Sequence, residues 1–344
     1  MPGNSLEQRD LLQKHNYLLH VFWNLPKLQA RLLSDHCIFT QGNRLVTQTI
    51  NRLPDETHLG PVTLKVGDAE AALEVWRDIV GLSIIDRQGS LVRLGVGGRV
   101  LIILSPGAGP AAASPVVGLF HVALHVTSRA ALGGVLARMR TSGVRHSGQD
   151  HTISDSLYMS DPDGNGIEFA HDTPGRGHVE VVEGKPRAIR NDGRVLSLVE
   201  PLDLDELARD TPQDHQARKA LPEDSFIGHI HFRSNRRDPA FAFYVDVLGF
   251  RPNANAPAFR FCDAGTKRRE HMVAFNSWAG EDLPQAAPGA PGVDHFTIRV
   301  PDAAALHAAV ERLRAAGHKA EPVDQGFRTE DPDGNRLLLT GMLA

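Results

Sequence analysis

Cysteine is almost missing from this chain. Only Cys37 and Cys262 occur among 344 residues, in unrelated contexts without metal or redox spacing. That excludes a disulfide scaffold and a cysteine-based zinc or redox centre, and makes a reducing cytoplasm the default expectation. Apolar runs long enough to cross a bilayer are also lacking, and no leader pattern stands at the front, so a membrane is not an expected partner. Charge of one sign is nowhere concentrated: the formal net charge of -4 is spread without a basic block, which argues against nucleic acid and anionic lipid. What remains is a globular chain with 41% apolar residues, long enough for two domains, whose natural partner is a small molecule.

Against this plain background one pattern occurs four times: a half-buried strand, a capped helix ending in glycine, then two or three further strands. The leading strands are Val62-Thr63-Leu64-Lys65-Val66, His121-Val122-Ala123-Leu124-His125-Val126, His229-Ile230-His231-Phe232 and His295-Phe296-Thr297-Ile298-Arg299-Val300. Three of them begin with histidine at equivalent positions, which scattered core histidines would not do. Cap signals follow each strand. Asp68 precedes a helix that stops at Gly81, Ser128 one that stops at Gly143, and Asp302 one that stops at Gly317; Asp238 before Pro239 reads as Ncap and N1 of a helix ending at Gly249.

Two identical turns, Asp161-Pro162-Asp163-Gly164-Asn165 and Asp331-Pro332-Asp333-Gly334-Asn335, lead into the closing strands Ile167-Glu168-Phe169 and Leu337-Leu338-Leu339. Their turn chemistry reads as structural, without the spacing of a calcium loop. Gly95-Val96-Gly97-Gly98 reads as a hairpin, since no helix pattern follows for a phosphate cradle. The unit is thus a βαβββ module. One module cannot cover both faces of its sheet, so the expected fold is α+β: four βαβββ modules pairing into two curved, cup-like mixed β-sheets flanked by helices. A ligand would sit in a cup.

The first 45 residues show neither the repeat nor turn logic. They are expected to be a weakly ordered extension, or upstream sequence before a start near Val46, so His15, His20 and His36 are left out of any site. A long connector, roughly 172 to 226, holds a short helix signal around Leu202 to Ala208 and carries no clear chemistry of its own.

Four such modules, with histidine opening the first strand and the Asp-Pro-Asp-Gly-Asn turn before Gly166-Ile167-Glu168, resemble the vicinal oxygen chelate superfamily. That superfamily includes glyoxalase I, fosfomycin and bleomycin resistance proteins and type I extradiol dioxygenases. Gly118-Leu119-Phe120-His121, Asp150 through Tyr158, Gly164 through Glu168 and Asn276-Ser277-Trp278 are similar to the two-domain bacterial catechol-2,3-dioxygenase type. The resemblance implies an extension at 1–57, a first domain of modules one and two at 58–172, a connector at 173–225 and a second domain of modules three and four at 226–344.

It also implies a divalent metal held by first strands and a last strand. The expected ion is Fe(II), bound by two histidines and one carboxylate with positions open for a small aromatic diol and dioxygen; Mn(II), Ni(II) and Zn(II) are the alternatives. Modules one and two together lack a ligand, because Pro61 stands where the first would present its histidine. Modules three and four lack the carboxylate, because Leu338 stands in its place. Module two with module three supplies the complete set His121, His229 and Glu168, leaving modules one and four as a metal-free pair. The expected site therefore spans the halves, within one chain or between the chains of a homodimer, and His295 is the reserve ligand if modules pair sequentially. A separation of His121 and His229 beyond about 8 Å would exclude it, given metal–nitrogen bonds near 2 Å.

The resemblance places His271 beside the metal, as an acid–base group or a fourth ligand, though glutamate and methionine flank it where relatives often carry a run of three histidines. His151 and Tyr158 become donors to substrate oxygen, and the three residues form the expected catalytic set. Each has a plainer reading: a strand histidine is usually a satisfied structural residue, and Glu168 could form a salt bridge in a dry core. His231 shares the face of His229 by alternation and either lines the pocket or points along the sheet; His125 is likewise open. Trp278 and Phe275 read as wall and core. The leading function is ring cleavage of a catechol-like aromatic; a glyoxalase-type isomerase or lyase, or a non-catalytic resistance-type binding protein, are the alternatives.

Overall fold

The computed structural model describes residues 36–41, 44–49, 52–182, 185–213 and 218–342. The chain divides into two units, residues 1–52 and 53–344. In the first, β1 (His36–Gln41) and β2 (Arg44–Thr49) pair as an antiparallel hairpin. The β-branched and aromatic residues of Ile38-Phe39-Thr40 and Val46-Thr47 favour strands without a repeat to announce them. His15 and His20 lie outside the described residues.

The second unit holds the four modules, each a βαβββ unit. Module one comprises β3 (His58–Val66), α1 (Ala69–Leu73), β4 (Ser83–Gln88), β5 (Leu91–Val96) and β6 (Arg99–Pro106). Module two has β7 (Gly118–His125), α2 (Arg129–Ser142), β8 (Ser147–Asp150), β9 (Ser154–Ser160) and β10 (Gly166–Asp172). The connector contributes β11 (Gly177–Val182), β12 (Lys185–Arg190), β13 (Val195–Leu196), β14 (Glu200–Pro201) and α3 (Leu204–Arg209). Module three is β15 (Phe226–Arg233), α4 (Arg237–Ala242), β16 (Arg251–Ala256), β17 (Phe261–Gly265) and β18 (Val273–Asn276). Module four is β19 (Gly292–Val300), α5 (Ala303–Ala315), β20 (Glu321–Val323), β21 (Gly326–Glu330) and β22 (Arg336–Gly341).

Sheet pairing crosses the halves of the chain. Nine strands run in the order β14-β8-β9-β10-β7-β15-β18-β17-β16, which joins module two to module three; eight run β20-β21-β22-β19-β3-β6-β5-β4, which joins four to one. In every module the first strand pairs parallel with the last. The two first strands of each sheet then meet antiparallel at its centre, β7 with β15 and β19 with β3. Alternation buries one face of each strand, including Val122, Leu124, Ile230, Phe232, Ile167 and Phe169, in the core and leaves the other for the cup.

Asp68, Ser128 and Asp302 cap their helices as predicted, accepting from the N–H of Ala71, Ala131 and Ala305. Asp238 does not cap α4. The helix starts two residues earlier, with Arg236 as Ncap and no side-chain cap, while Ser234 Oγ accepts from the Arg236 N–H. Pro239 is still tolerated there because first-turn N–H groups have no intrahelical acceptor.

The helices of modules one and three continue as π-helical turns, Glu74–Ile79 and Phe243–Leu248. They carry Trp76 and Tyr244, which reach the two Asp-Pro-Asp-Gly-Asn turns. Asp161 accepts from Trp76 Nε1 and Asp331 from Tyr244 Oη, and each aspartate also accepts from two backbone N–H groups and the asparagine amide of its own turn. So the helix of module one is tied to the turn of module two, and three to four. Asp331→Ala strips four donors of one buried acceptor and is expected to cost about 3 kcal/mol, seen as a lower urea midpoint at unchanged slope. An unchanged midpoint contradicts this role.

Candidate metal centre

His121, Glu168 and His229 converge in the cup of the nine-stranded sheet, within a single chain. Their candidate ligand atoms all lie within 4.8 Å of one another, and all three residues are buried. Register explains the meeting: Ala123 of β7 stands opposite Glu168 on one side and His229 on the other. His121, two residues earlier, therefore shares their face, and the small side chain between leaves them room. Glu168 points away from Ile167 and Phe169, both fully buried in the core.

The three facing atoms form a triangle. His121 Nε2 and His229 Nε2 are 3.1 Å apart, and Glu168 Oε2 lies 2.9 and 3.2 Å from them. Ligand atoms on a common ion at bonds of about 2.1 Å sit about 3.0 Å apart when octahedral and facial, and about 3.4 Å apart when tetrahedral. The observed edges match the facial arrangement. Burial works against the Glu168 charge, but His229 and His121 overcome it and hold the carboxylate well below its usual range. Burial, aided by His271, outweighs Glu168 and keeps His229 neutral. Neutral imidazole and ionised carboxylate are the forms that can bind a cation.

His271 lies two residues before β18. Its Nδ1–H donates to Asp263 Oδ2 at 2.5 Å and its ring centroid is 4.2 Å from that of His229. Burial disfavours the cation, yet Asp263 and then Glu168 raise the His271 pKa above the ordinary histidine value. His271 is beside the triad and not a member of it. His151 sits between β8 and β9, next to Thr152, a non-glycine residue at φ 69°. The carbonyl of Leu198 accepts from His151 Nδ1 at 2.8 Å, which leaves Nε2 to accept the Tyr158 O–H at 3.0 Å. Burial first, and then Glu168, keeps the Tyr158 phenol protonated by raising its pKa well above the usual value.

The rings beside the triad form an aromatic wall. His231 is buried, with Asn276 Nδ2 bonded to its Nε2, and its ring meets Phe120, His121, Phe261 and Trp278. Trp278, stacked on Phe261, is 41% exposed, so it forms the rim and not the core; Phe275 is fully buried, as expected. The reserve ligand His295 does not join the triad. It lies in the other sheet, with Nδ1 on Asp294 and Nε2 near Thr63 Oγ1, because modules pair across the halves. There Leu338 faces Thr297 as Glu168 faces Ala123, and Pro61 holds the His229 position.

Sequence reasoning overlooked Asp263, brought to His271 by the β17–β18 pair, and Leu198 of the connector, whose carbonyl meets His151. Neither carried a local signal. Asp172 was also overlooked, although it shares the face of Glu168 by alternation.

Residues 58–169 and 226–339 match the model of the glyoxalase/bleomycin resistance protein/dioxygenase superfamily. A catechol-2,3-dioxygenase of Bacillus subtilis (strain 168) is 31% identical over 283 residues, 81% of this chain and 95% of that protein. A biphenyl-2,3-diol 1,2-dioxygenase of Rhodococcus globerulus is 30% identical over 118 residues, 33% of this chain and 61% of that protein. Glyoxalase I from Zea mays shares the fold at TM-score 0.51 and 13% identity, over 83% of this chain and 92% of that one. With both halves matched by the family model and a relative aligned along most of its length, the chain belongs to the glyoxalase/bleomycin resistance protein/dioxygenase superfamily.

Proposed function

We propose that the protein is an Fe(II)-dependent extradiol dioxygenase that opens the ring of a catechol-like aromatic with dioxygen, with His121, His229 and Glu168 as the metal ligands. The observation that carries this reading is the buried two-histidine, one-carboxylate triangle with edges near 3 Å. Both curated relatives are named as dioxygenases of aromatic vicinal diols, which supports the same substrate class. When bound, Fe(II) supplies the redox chemistry and the open coordination positions that ring cleavage needs.

The remaining residues have distinct tasks. Asp263 fixes His271 through Nδ1, so its Nε2 is left to take a proton from a diol hydroxyl. Tyr158, its own O–H committed to His151, offers oxygen lone pairs to the second hydroxyl. Phe120, His231 and Trp278 supply ring faces and edges that hold a flat substrate and exclude water.

The test is oxygen uptake by anaerobically reconstituted protein with a panel of catechols. One dioxygen consumed per diol, with a ring-opened product, is expected. Iron-loaded protein that takes up no oxygen with any diol, but isomerises a glyoxalase-type substrate, contradicts the proposal.

A further inference from the structure

The geometry points to His125 as a positioning residue that fixes the tautomer and orientation of His229, with Asp172 behind it; this rests on the ligand assignment proposed above. His229 faces the triad with Nε2. Its other nitrogen, Nδ1, lies 3.4 Å from His125 Nε2, and His125 Nδ1 lies 3.3 Å from Asp172 Oδ2. These contacts have one consistent proton direction. If His229 presents the Nε2 lone pair to a cation, it carries its proton on Nδ1 and donates to His125 Nε2; His125 then carries its own proton on Nδ1 and donates to the Asp172 carboxylate.

The fold makes a slot for this ring. Strand register shifts between Ile227 and His229, and Gly228 sits in the irregularity. A Cβ at Gly228 would lie 1.9 Å from His125 Cδ2, so only glycine leaves room. On its other side His125 meets the Phe226 ring at 5.3 Å, itself covered by the Arg269 guanidinium at 4.0 Å. The relevant residues repeat along two neighbouring strands: His121, Ala123 and His125 on β7, and Glu168, Ala170 and Asp172 on β10. On each strand the first residue faces the triad and the third serves its back.

The other cup is an internal control. Gly60 and Pro61 of β3 occupy the register of Gly228 and His229, and Arg299 that of His125; the Arg299 Nε lies 2.9 Å from where a Gly60 Cβ would stand. An arginine accepts no hydrogen bond. Where the ligand imidazole is replaced by proline, the acceptor behind it is replaced too.

The experiment is competition of the metal-free full-length protein with a chelator for Co(II). His125→Leu is expected to weaken Co(II) binding about 10- to 100-fold, as loss of a ligand's hydrogen-bond partner does, while His125→Gln, whose amide oxygen reaches as far as Nε2, stays within about fivefold of the parent. Asp172→Asn, at an exposed carboxylate, is expected to weaken binding several-fold in the parent and not at all in the His125→Leu background, since it acts through His125. A general structural effect would add in both. The proposal is overturned by His125→Leu binding Co(II) as tightly as the parent, or by equal Asp172→Asn effects in the two backgrounds. Should His125→Leu not fold, Asp172→Asn alone decides: unchanged affinity overturns the role. Co(II) binding that survives Glu168→Gln unchanged removes the ligand assignment itself, and the positioning role with it.

Discussion

Glu168→Gln is expected to lower metal affinity more than 100-fold, beyond the range of about 10- to 100-fold typical of an outer partner, and to abolish turnover. The side chain keeps its shape and loses its charge. In the metal-free protein this change acts in the opposite direction. Glu168 is a buried carboxylate whose ion-pair partners among the described residues are the imidazoles of His121 and His229, so no permanent cation offsets its burial there. Removing that charge should leave the apo fold as stable or more stable, read from urea midpoints of wild-type and variant apo proteins. Metal binding lost with stability retained is the signature of a ligand. A variant that binds metal normally but unfolds early would make Glu168 a structural ion-pair partner.

His271→Ala is expected to separate chemistry from metal binding. Its ring packs on His229 and its Nδ1 is tied to Asp263, yet it stands outside the group that could hold an ion. Loss of a positioned proton acceptor should reduce kcat by about 10²- to 10⁴-fold, with Co(II) affinity nearly unchanged. The opposite split, intact kcat at saturating metal but weakened affinity, would make His271 a fourth ligand. His271→Gln is the control for packing: it fills the space without taking a proton and should be as slow as the alanine variant.

Much of this site was legible in the sequence. Given the ligand set that the family resemblance implies, Pro61 and Leu338 each spoil one sequential pairing of modules, which pointed to a set shared by modules two and three. The sheet order bears out this pairing, with β7 beside β15 at the centre of the nine-stranded sheet. Strand alternation predicted the face of Glu168, because two apolar neighbours leave a carboxylate only the cup.

What escaped the sequence depends on contacts between distant strands or on local departures from ideal geometry. Asp263 meets His271 across the β17–β18 hairpin, and its own strand pairs irregularly with β16 beside it. His125 was left open because its role rests on a one-residue irregularity at Gly228, which no periodicity reveals. The π-helical turns that carry Trp76 and Tyr244 look like ordinary helix in the sequence, since one extra residue per turn barely disturbs an apolar pattern. Asp238 looked like a cap because aspartate before proline usually is one, but the helix begins at Arg237, which puts Asp238 inside its first turn.

The most direct measurement is anomalous diffraction at the iron edge from crystals loaded anaerobically with Fe(II). One ion per chain is expected, about 2.0–2.3 Å from His121 Nε2, His229 Nε2 and Glu168 Oε2. Iron bound elsewhere, or no iron at a triangle that stays closed on itself by hydrogen bonds, would contradict the account.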